Sequence, residues 1–182
     1  MNGVDRWIQR KRIAEALRWM PNGVDVLDIG CADGALFRQA SSVINSGIGV
    51  DVDEPTSWPT GPYEFRRGTF PEVLNNGEIF DVVVMLAVVE HVPADIRRTW
   101  ASSVPCLLRP GGRLIITVPA PVVDRILDIG IRLRILHGME AEQHHGLDPS
   151  VIPQEFASPS IRLLEASRFE FGLNHLMVFE RI

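Results

Sequence analysis

The segment Val24–Ile29 is a short apolar run that leads directly into the glycine-containing loop Gly30–Gly34 and then into a helical pattern. This order predicts a strand, a tight turn and a helix. Apolar runs and helical patterns continue to alternate along the chain as far as Pro119. Strands that alternate with helices at this spacing form a parallel sheet covered by helices, so the sequence predicts an α/β fold.

The remaining elements follow from hydrophobic periodicity. The predicted helices are Val4–Met20, Gly34–Ser42, Pro93–Leu108 and Val122–Leu136. The predicted strands are Val24–Ile29, Ser46–Val50, Tyr63–Arg67, Ile79–Val89, Arg113–Val118, Ile161–Phe169 and His175–Arg181. Arg109–Gly112 is expected to be a structural turn into the fifth strand. The turn Gly172–Asn174 separates the last two strands, which predicts an antiparallel hairpin at the sheet edge.

Length and composition narrow the class of protein. The chain has 182 residues, which suits a single domain, 1–182, with a substantial core. The formal net charge of −5 argues against a general nucleic-acid binder. Cys31 and Cys106 do not have zinc-site spacing. Polar residues follow Met1 and no apolar run approaches the ~18 to 20 residues of a membrane span. We therefore expect a cytoplasmic protein with no signal peptide and no transmembrane segment.

Carboxylates at the first strand and its loop restrict the ligand. Asp28 and Asp33 flank Gly30, whereas a phosphate-binding loop favours backbone N–H groups and few anions. The loop also lacks the GxGxxG pattern of dinucleotide-binding proteins, which argues against a nicotinamide dehydrogenase. Asp51 follows about 20 residues later, where an acid can accept hydrogen bonds from ribose hydroxyls. A nucleoside with cationic groups and no phosphate fits, and S-adenosylmethionine is one.

Four segments in order resemble a known family. They are "VLDIGCADGAL" (Val26–Leu36), "GVDVD" (Gly49–Asp53), "FDVVVMLAVVEHV" (Phe80–Val92) and "LLRPGGRLIITVP" (Leu107–Pro119). They are similar to the motifs of class I S-adenosylmethionine-dependent methyltransferases, over roughly residues 20–120 and the closing hairpin. The resemblance implies a Rossmann-like, doubly wound, mostly parallel seven-stranded sheet with a C-terminal antiparallel hairpin.

The resemblance also implies a set of cofactor-binding residues. Asp28 would organise the methionine amino group, and Gly30–Gly34 would wrap the methionine and ribose. Asp51 would hold the ribose hydroxyls. The whole set is Asp28, Gly30, Cys31, Ala32, Asp33, Gly34, Asp51, Val52, Thr69, Phe70, Leu86 and Ala87. Within it, Val52, Thr69 and Phe70 would contact the adenine, and Leu86 and Ala87 would line the methyl-transfer site.

The chain departs from the family pattern at three positions. Ala32 replaces the middle glycine of the loop, which is tolerable if its φ is negative. Thr69 replaces an acid that many members place against the adenine amino group, so adenine would be held by backbone groups and stacking. Ala87 replaces the first glutamate of a Glu-x-x-Glu-His magnesium motif and leaves only Glu90 and His91. We therefore expect no metal.

Some residues keep two interpretations. Asp33 either contacts the cofactor or caps the following helix. Asp53 is a possible substitute for Asp51 but is expected to turn the chain before Pro55. The basic run Arg10–Arg12 is either a solvated helix face or contains an arginine that reaches the cofactor carboxylate.

Residues 120–160 form the least regular part of the chain, and we expect them to be a substrate-cap insertion within the domain. They contain His144 and His145, and a neutral imidazole can act as a general base near pH 7. His91 is the third candidate base. A structural or solvated role is the alternative for each of these histidines.

The expected reaction is methyl transfer from S-adenosylmethionine to a small-molecule acceptor, at a hydroxyl oxygen, which leaves S-adenosylhomocysteine. A nucleic-acid or protein methyltransferase would share the cofactor site, but the acidic charge counts against a nucleic-acid partner. A non-catalytic adenosyl-binding module would keep Asp28 and Asp51 without an acceptor pocket. The identity of the acceptor and the oligomeric state stay open.

Overall fold

The apolar runs form a seven-stranded sheet in a computed structural model that describes residues 3–120 and 147–182. The strands are β1 (Val24–Ile29), β2 (Ile44–Asp51), β3 (Tyr63–Arg67), β4 (Phe80–Leu86), β5 (Leu108–Pro119), β6 (Ile161–Phe169) and β7 (Asn174–Arg181). The α-helices are α1 (Gly3–Leu17), α2 (Ala35–Gln39), α3 (Ala94–Leu107) and α4 (Ile152–Phe156). Short 3₁₀ helices span Val89–His91, Pro149–Val151 and Glu170–Gly172.

The strand order is β3-β2-β1-β4-β5-β7-β6. Strands β1 to β5 pair in parallel, whereas β7 is antiparallel to both of its neighbours, β5 and β6. The predicted Rossmann-like fold with a C-terminal antiparallel hairpin is therefore confirmed. Of the two hairpin strands, β6 forms the edge and β7 lies inside the sheet.

Each face of the sheet is covered by a separate apolar layer. One layer, from α1 and α2, is packed against β1, β4 and β7 and includes Ile13, Ala16, Leu36 and Phe37. The other layer, from α3 and α4, includes Trp100, Val104, Ile152 and Phe156. Because helices cover both faces, the central parallel strands are buried on both sides, as the apolar run at β4 predicts.

Several element boundaries differ from the sequence prediction. Strand β4 ends at Leu86 rather than Val89, because Ala87 takes a left-handed φ of 58° and turns the chain. Strand β5 begins at Leu108 rather than Arg113. The predicted turn Arg109–Gly112 is an irregularity within β5, where the pairing with β4 shifts between Phe80 and Val82. The other helices and strands shift by a few residues at their ends.

Arg97 connects helix α3 with helix α4 and with the segment that follows β4. Its Nε and Nη2 donate to the two carboxylate oxygens of Glu155 in α4, at 2.8 and 3.0 Å. Its Nη1 donates to the carbonyl oxygen of Val92, at 2.8 Å. Both side chains are largely buried, so α4 and the residues after β4 are fixed to the same helix.

The predicted helix Val122–Leu136 lies outside the described residues. In the described end of the 120–160 region, α4 belongs to the core, because Ile152 and Phe156 are buried. Within residues 3–120 and 147–182, no helix combines the length and the hydropathy that a membrane span needs.

Candidate functional site

The loop after β1 lies at the carboxyl edge of the sheet, where ligands bind in open α/β folds. Gly30 has a φ of +73°, and a Cβ there would lie 2.4 Å from Cγ2 of Val88. A side chain at this position would therefore be strained and would clash with the residues that follow β4. The absence of a side chain at Gly30 allows the loop after β1 to lie close to the segment that follows β4.

The second glycine of the loop is packed against side chains that the sequence analysis did not identify. Gly34 also has a φ of +73°, and a Cβ there would meet Trp58 and Pro59 at 2.8 Å. The Trp58 indole nitrogen donates to the carbonyl oxygen of Tyr63, and the ring contacts Phe37 edge-on. No sequence motif marks Trp58, since its contact with the loop depends on the long connection between β2 and β3.

Asp51 holds the loop through its side chain. Its Oδ2 accepts a hydrogen bond from the Ala32 N–H at 2.8 Å, and its Oδ1 accepts one from the Asp53 N–H at 3.0 Å. Ala32 has a φ of +45°, so the negative φ that would make an alanine tolerable there is not found. The contact with Asp51 holds this residue in a conformation that favours glycine. Asp53 itself is exposed at the turn.

Asp28 is the buried carboxyl group of the site, with 4% of its surface exposed. Burial, followed by the nearby carboxylates of Asp51 and Asp33, raises its pKa to about 8. The adjacent Cys31 is also buried, and burial raises the pKa of its thiol. Without a ligand Asp28 therefore keeps its proton at neutral pH, and a nearby cation would stabilise its ionised form, so the pocket favours a positively charged ligand group.

Asp33 forms an ion pair with Arg38 of α2, at 2.5 Å, and its carbonyl oxygen accepts a second hydrogen bond from the same guanidinium. The predicted capping role is not found, because Gly34 occupies the N-cap of α2 and no side chain caps it. The Asp33 carboxylate is thus directed along the helix, although it still contributes to the negative potential at Asp28.

The register of the sheet places further polar residues on the Asp28 face. Asp28 pairs with Val84, and Leu86, two residues further along β4, pairs with Thr117 of β5. Thr117 pairs with Leu176, two residues from Asn174 in β7. Because paired residues and residues two apart share a face, Asp28, Leu86, Thr117 and Asn174 all face the α1 layer. The buried Thr117 hydroxyl has no hydrogen-bond partner in the described part of the chain.

Arg12 of α1 reaches the same face. Its Nε donates to Oδ1 of Asn174 at 2.9 Å. Nδ2 of Asn174 donates to Oε2 of Glu170 at 2.5 Å. Burial lowers the pKa of Arg12, and the carboxylates of Glu90 and Glu170 oppose that shift. A cation from the first helix therefore lies on the face that carries the buried Asp28, so Arg12 is not part of a solvated helix face. That an arginine of this run reaches the cofactor carboxylate stays a prediction.

The predicted adenine contacts are arranged unequally. Val52 is 57% exposed, and Thr69 is also exposed. Phe70 is instead 3% exposed and packs edge-on against Trp100, with ring centroids 5.4 Å apart. The Gly68 N–H donates to the carbonyl oxygen of Asp51, which ties the end of β3 to the end of β2. Thus Val52 and Thr69 are accessible at this edge, whereas Phe70 belongs to the core.

The candidate acceptor side contains Ala87, Glu90 and His91 after β4. Glu90 is buried, and one of its carboxylate oxygens lies 3.9 Å from Nε2 of His91. Among the residues that the structure describes, no group of three His, Cys, Asp or Glu side chains is arranged to hold a metal ion. His144 and His145 lie outside the described residues.

Comparisons with known proteins are consistent with this geometry. A family model described as "Methyltransferase domain" matches residues 5–164. Ubiquinone biosynthesis O-methyltransferase from Rhizobium etli (strain CIAT 652) is 30% identical over 146 residues, covering 75% of this chain and 58% of that protein. The chain therefore spans a little over half the length of this curated relative.

Solved structures share the fold at low sequence identity. The N-methyltransferase NodS from Bradyrhizobium japonicum WM9, in complex with S-adenosylhomocysteine, has a TM-score of 0.68 and 18% identity, covering 94% of this chain and 86% of that one. The 1,6-didemethyltoxoflavin-N1-methyltransferase from Burkholderia thailandensis has a TM-score of 0.70 and 20% identity, with coverages of 98% and 82%. With the family model matching most of its length, the chain belongs to the methyltransferase domain family.

Proposed function

We propose that this protein transfers a methyl group from S-adenosylmethionine to a hydroxyl oxygen of a small molecule. The observation that carries the proposal is the buried carboxyl group of Asp28, whose ionised form a cation would stabilise, on the same face of the sheet as Arg12. The amino-acid part of S-adenosylmethionine offers an ammonium group to Asp28 and a carboxylate to Arg12. A dinucleotide would instead bring phosphates toward Asp28.

The residues present fit this cofactor. The Asp51 carboxylate accepts two hydrogen bonds from backbone N–H groups. A carboxylate can accept about four, so it can also accept hydrogen bonds from ribose hydroxyls. Val52 and Thr69 are exposed beside it and would contact the adenine. Leu86 and Ala87, at the end of β4, would line the transfer site. Cys31 and Phe70 would support the site from the core rather than contact the ligand.

When bound, S-adenosylmethionine supplies a methyl group on a cationic sulfur that is reactive by itself. The chain's own residues have three tasks: to hold the two reactants in line, to exclude water, and to take the proton from the acceptor hydroxyl. His91 is the described candidate for the base. His144 and His145 remain candidates within the 120–160 region, which we propose as the acceptor cap of a single domain, 1–182.

The choice of a small hydroxyl acceptor is supported by the names of two curated relatives. These are the Rhizobium etli ubiquinone biosynthesis O-methyltransferase and the nocamycin O-methyltransferase of Saccharothrix syringae. The net charge of −5 disfavours a nucleic-acid substrate. A cytoplasmic location, where S-adenosylmethionine is available, belongs to the same proposal.

The cofactor assignment is tested by calorimetry with S-adenosylhomocysteine and NAD. We expect micromolar binding of S-adenosylhomocysteine and none of NAD. Asp51→Ala should weaken S-adenosylhomocysteine binding at least tenfold, about 1.4 kcal/mol, since hydrogen bonds to a charged acceptor are lost. The matched control is Asp53→Ala, which removes an exposed carboxylate and should change the dissociation constant of S-adenosylhomocysteine less than twofold. Tighter binding of NAD, or a loss that follows Asp53 instead of Asp51, would contradict the assignment.

Catalysis should not require a metal ion. Ala87 offers no ligand, and Glu90 and His91 alone are too few to hold a divalent ion against water. Once a hydroxyl acceptor is identified, turnover should be unchanged in excess EDTA, measured as S-adenosylhomocysteine formed per minute. Loss of turnover in EDTA, with recovery on adding Mg²⁺, would show that residues outside this pair complete a metal site.

A further inference from the structure

We propose that Asn174, held by Glu170, is a positioning residue for Arg12 and thereby sets the preference of the site for nucleosides that carry an amino-acid tail. The inference rests on the proposed function, because it concerns the methionine carboxylate of the same cofactor. It assigns a part in cofactor selection to the C-terminal hairpin, which contains none of the sequence motifs.

The first observation is the way in which Arg12 is bound. In the described part of the chain, its hydrogen-bond partner is the neutral amide oxygen of Asn174 rather than a carboxylate. A guanidinium has five N–H donors in a planar fork, and this contact uses one of them, at Nε. No hydrogen bond from the Nη groups is found among the described residues, although the carboxylates of Glu90 and Glu170 lie within electrostatic range. The Nη groups can therefore adopt the two-pronged geometry with which arginine binds a carboxylate.

The second observation is that the Asn174 amide has a fixed orientation. Its oxygen accepts from Arg12 while its nitrogen donates to Glu170, so the amide group cannot be reversed without losing both contacts. Asn174 is 3% exposed, so water does not readily replace either contact. Glu170 thus acts on Arg12 through its charge and through the amide of Asn174, and in the described part of the chain it makes no hydrogen bond to the guanidinium.

The third observation is the backbone that supports Glu170. Glu170 and Phe171 have φ values of 50° and 57°, in the left-handed region that non-glycine residues rarely adopt. The turn lies at the carboxyl edge of the sheet, because Asn174 pairs with Pro119 at the end of β5. Two such residues in succession persist only where surrounding contacts stabilise them, and the Glu170–Asn174 hydrogen bond is one such contact.

Location completes the inference. Asn174 and Asp28 share one face of the sheet, on strands that are separated by β4 and β5, as the strand order and register show. Asp28 suits the ammonium group of an amino acid, and Arg12 suits its carboxylate. Together they distinguish S-adenosylhomocysteine from 5′-methylthioadenosine, which has the same adenosine thioether without the amino-acid tail.

The test compares the affinities of these two nucleosides by calorimetry. The wild-type protein should bind S-adenosylhomocysteine at least tenfold more tightly than 5′-methylthioadenosine. Arg12→Ala should reduce this ratio about tenfold and Asn174→Ala about fivefold, while binding of 5′-methylthioadenosine changes less than twofold. The control Arg10→Ala, at an exposed position of the same helix, should leave both affinities unchanged.

A double variant separates positioning from general support of the fold. If Asn174 acts through Arg12, the double Ala variant at both positions should lose no more selectivity than Arg12→Ala alone. Glu170→Gln keeps an acceptor for Asn174 and should retain the ratio, whereas Glu170→Ala should lower it. If Asn174→Ala does not fold, the two Glu170 variants decide the outcome.

Equal losses for both nucleosides, or additive losses in the double variant, would assign Asn174 a purely structural role and overturn the inference. A wild-type protein that binds both nucleosides equally would overturn it too, while the cofactor assignment would stand. Failure of the wild-type protein to bind either nucleoside would instead count against the proposed function itself.

Discussion

Asp28→Asn is expected to weaken S-adenosylhomocysteine binding about 30-fold and, at the same time, to stabilise the protein without ligand. The loss of affinity, about 2 kcal/mol, is that of a hydrogen bond between a buried carboxylate and an ammonium group. Calorimetry gives the affinity and urea unfolding gives the stability, both on the same samples.

The gain in stability follows from the raised pKa of Asp28. The carboxyl group titrates near pH 4 in the unfolded chain and near pH 8 in the fold, where burial and Asp51 oppose its charge. Between these values the folded state retains a proton that the unfolded state releases, so stability falls as the pH rises, by at most about 1.4 kcal/mol per pH unit. The amide of the Asp28→Asn variant would be neutral throughout, so the two proteins should be equally stable near pH 4 and differ most at pH 8.

The affinity of the wild-type protein should change with pH in the opposite direction. Binding of a cationic ligand requires the Asp28 carboxylate and releases its proton, so affinity for S-adenosylhomocysteine should rise from pH 6 to pH 8. In Asp28→Asn the rise should disappear. His91→Gln removes the nearby imidazole but keeps Asp28, so this variant should preserve the rise. A slope that vanishes with His91 and persists without Asp28 would show that the wrong group was assigned.

Arg97→Met should reduce the free energy of unfolding by about 3 kcal/mol, since it leaves the largely buried Glu155 without its two-pronged partner. It also removes the donor to the Val92 carbonyl, which lies next to His91. Urea unfolding measures the effect. The control is Arg98→Ala at the neighbouring exposed position, which should stay within about 0.5 kcal/mol, the usual range for surface substitutions.

The double variant Arg97→Met/Glu155→Leu should recover most of the lost stability, because two apolar side chains can replace a buried ion pair without leaving a charge behind. If the single variant loses less than about 1 kcal/mol, water or another group compensates Glu155, and α4 is fixed by Ile152 and Phe156 alone.

The sequence predicts the parts of this protein that depend on local patterns. The loop Gly30–Gly34 and the acids Asp28 and Asp51 are close together in the chain or one strand apart, so their association follows from strand order alone. The register of parallel strands then places them at one edge. The C-terminal hairpin is similarly local, since its two strands are joined by a short turn.

Contacts between distant segments could not be predicted in this way. Arg12 and Asn174 are 162 positions apart, and no periodicity indicates that they meet. The packing of Trp58 against Gly34 depends on the path of an irregular connection. Phe70 is an example of the opposite kind. Its position after β3 matches the family pattern and predicts an adenine contact, whereas its ring is buried in the core. Side-chain direction within a loop is decided by tertiary packing rather than by position in a motif.

The position of β7 has a consequence for protein synthesis. This strand is made after β6 and yet lies between β5 and β6, so during translation β6 has no partner in the sheet until residues 174–181 have left the ribosome. A chain that ends before Asn174 would carry an unpaired β6 and would expose the edge of β5. Such a chain, released after premature termination, would present two sheet edges to chaperones or to neighbouring chains and would favour aggregation.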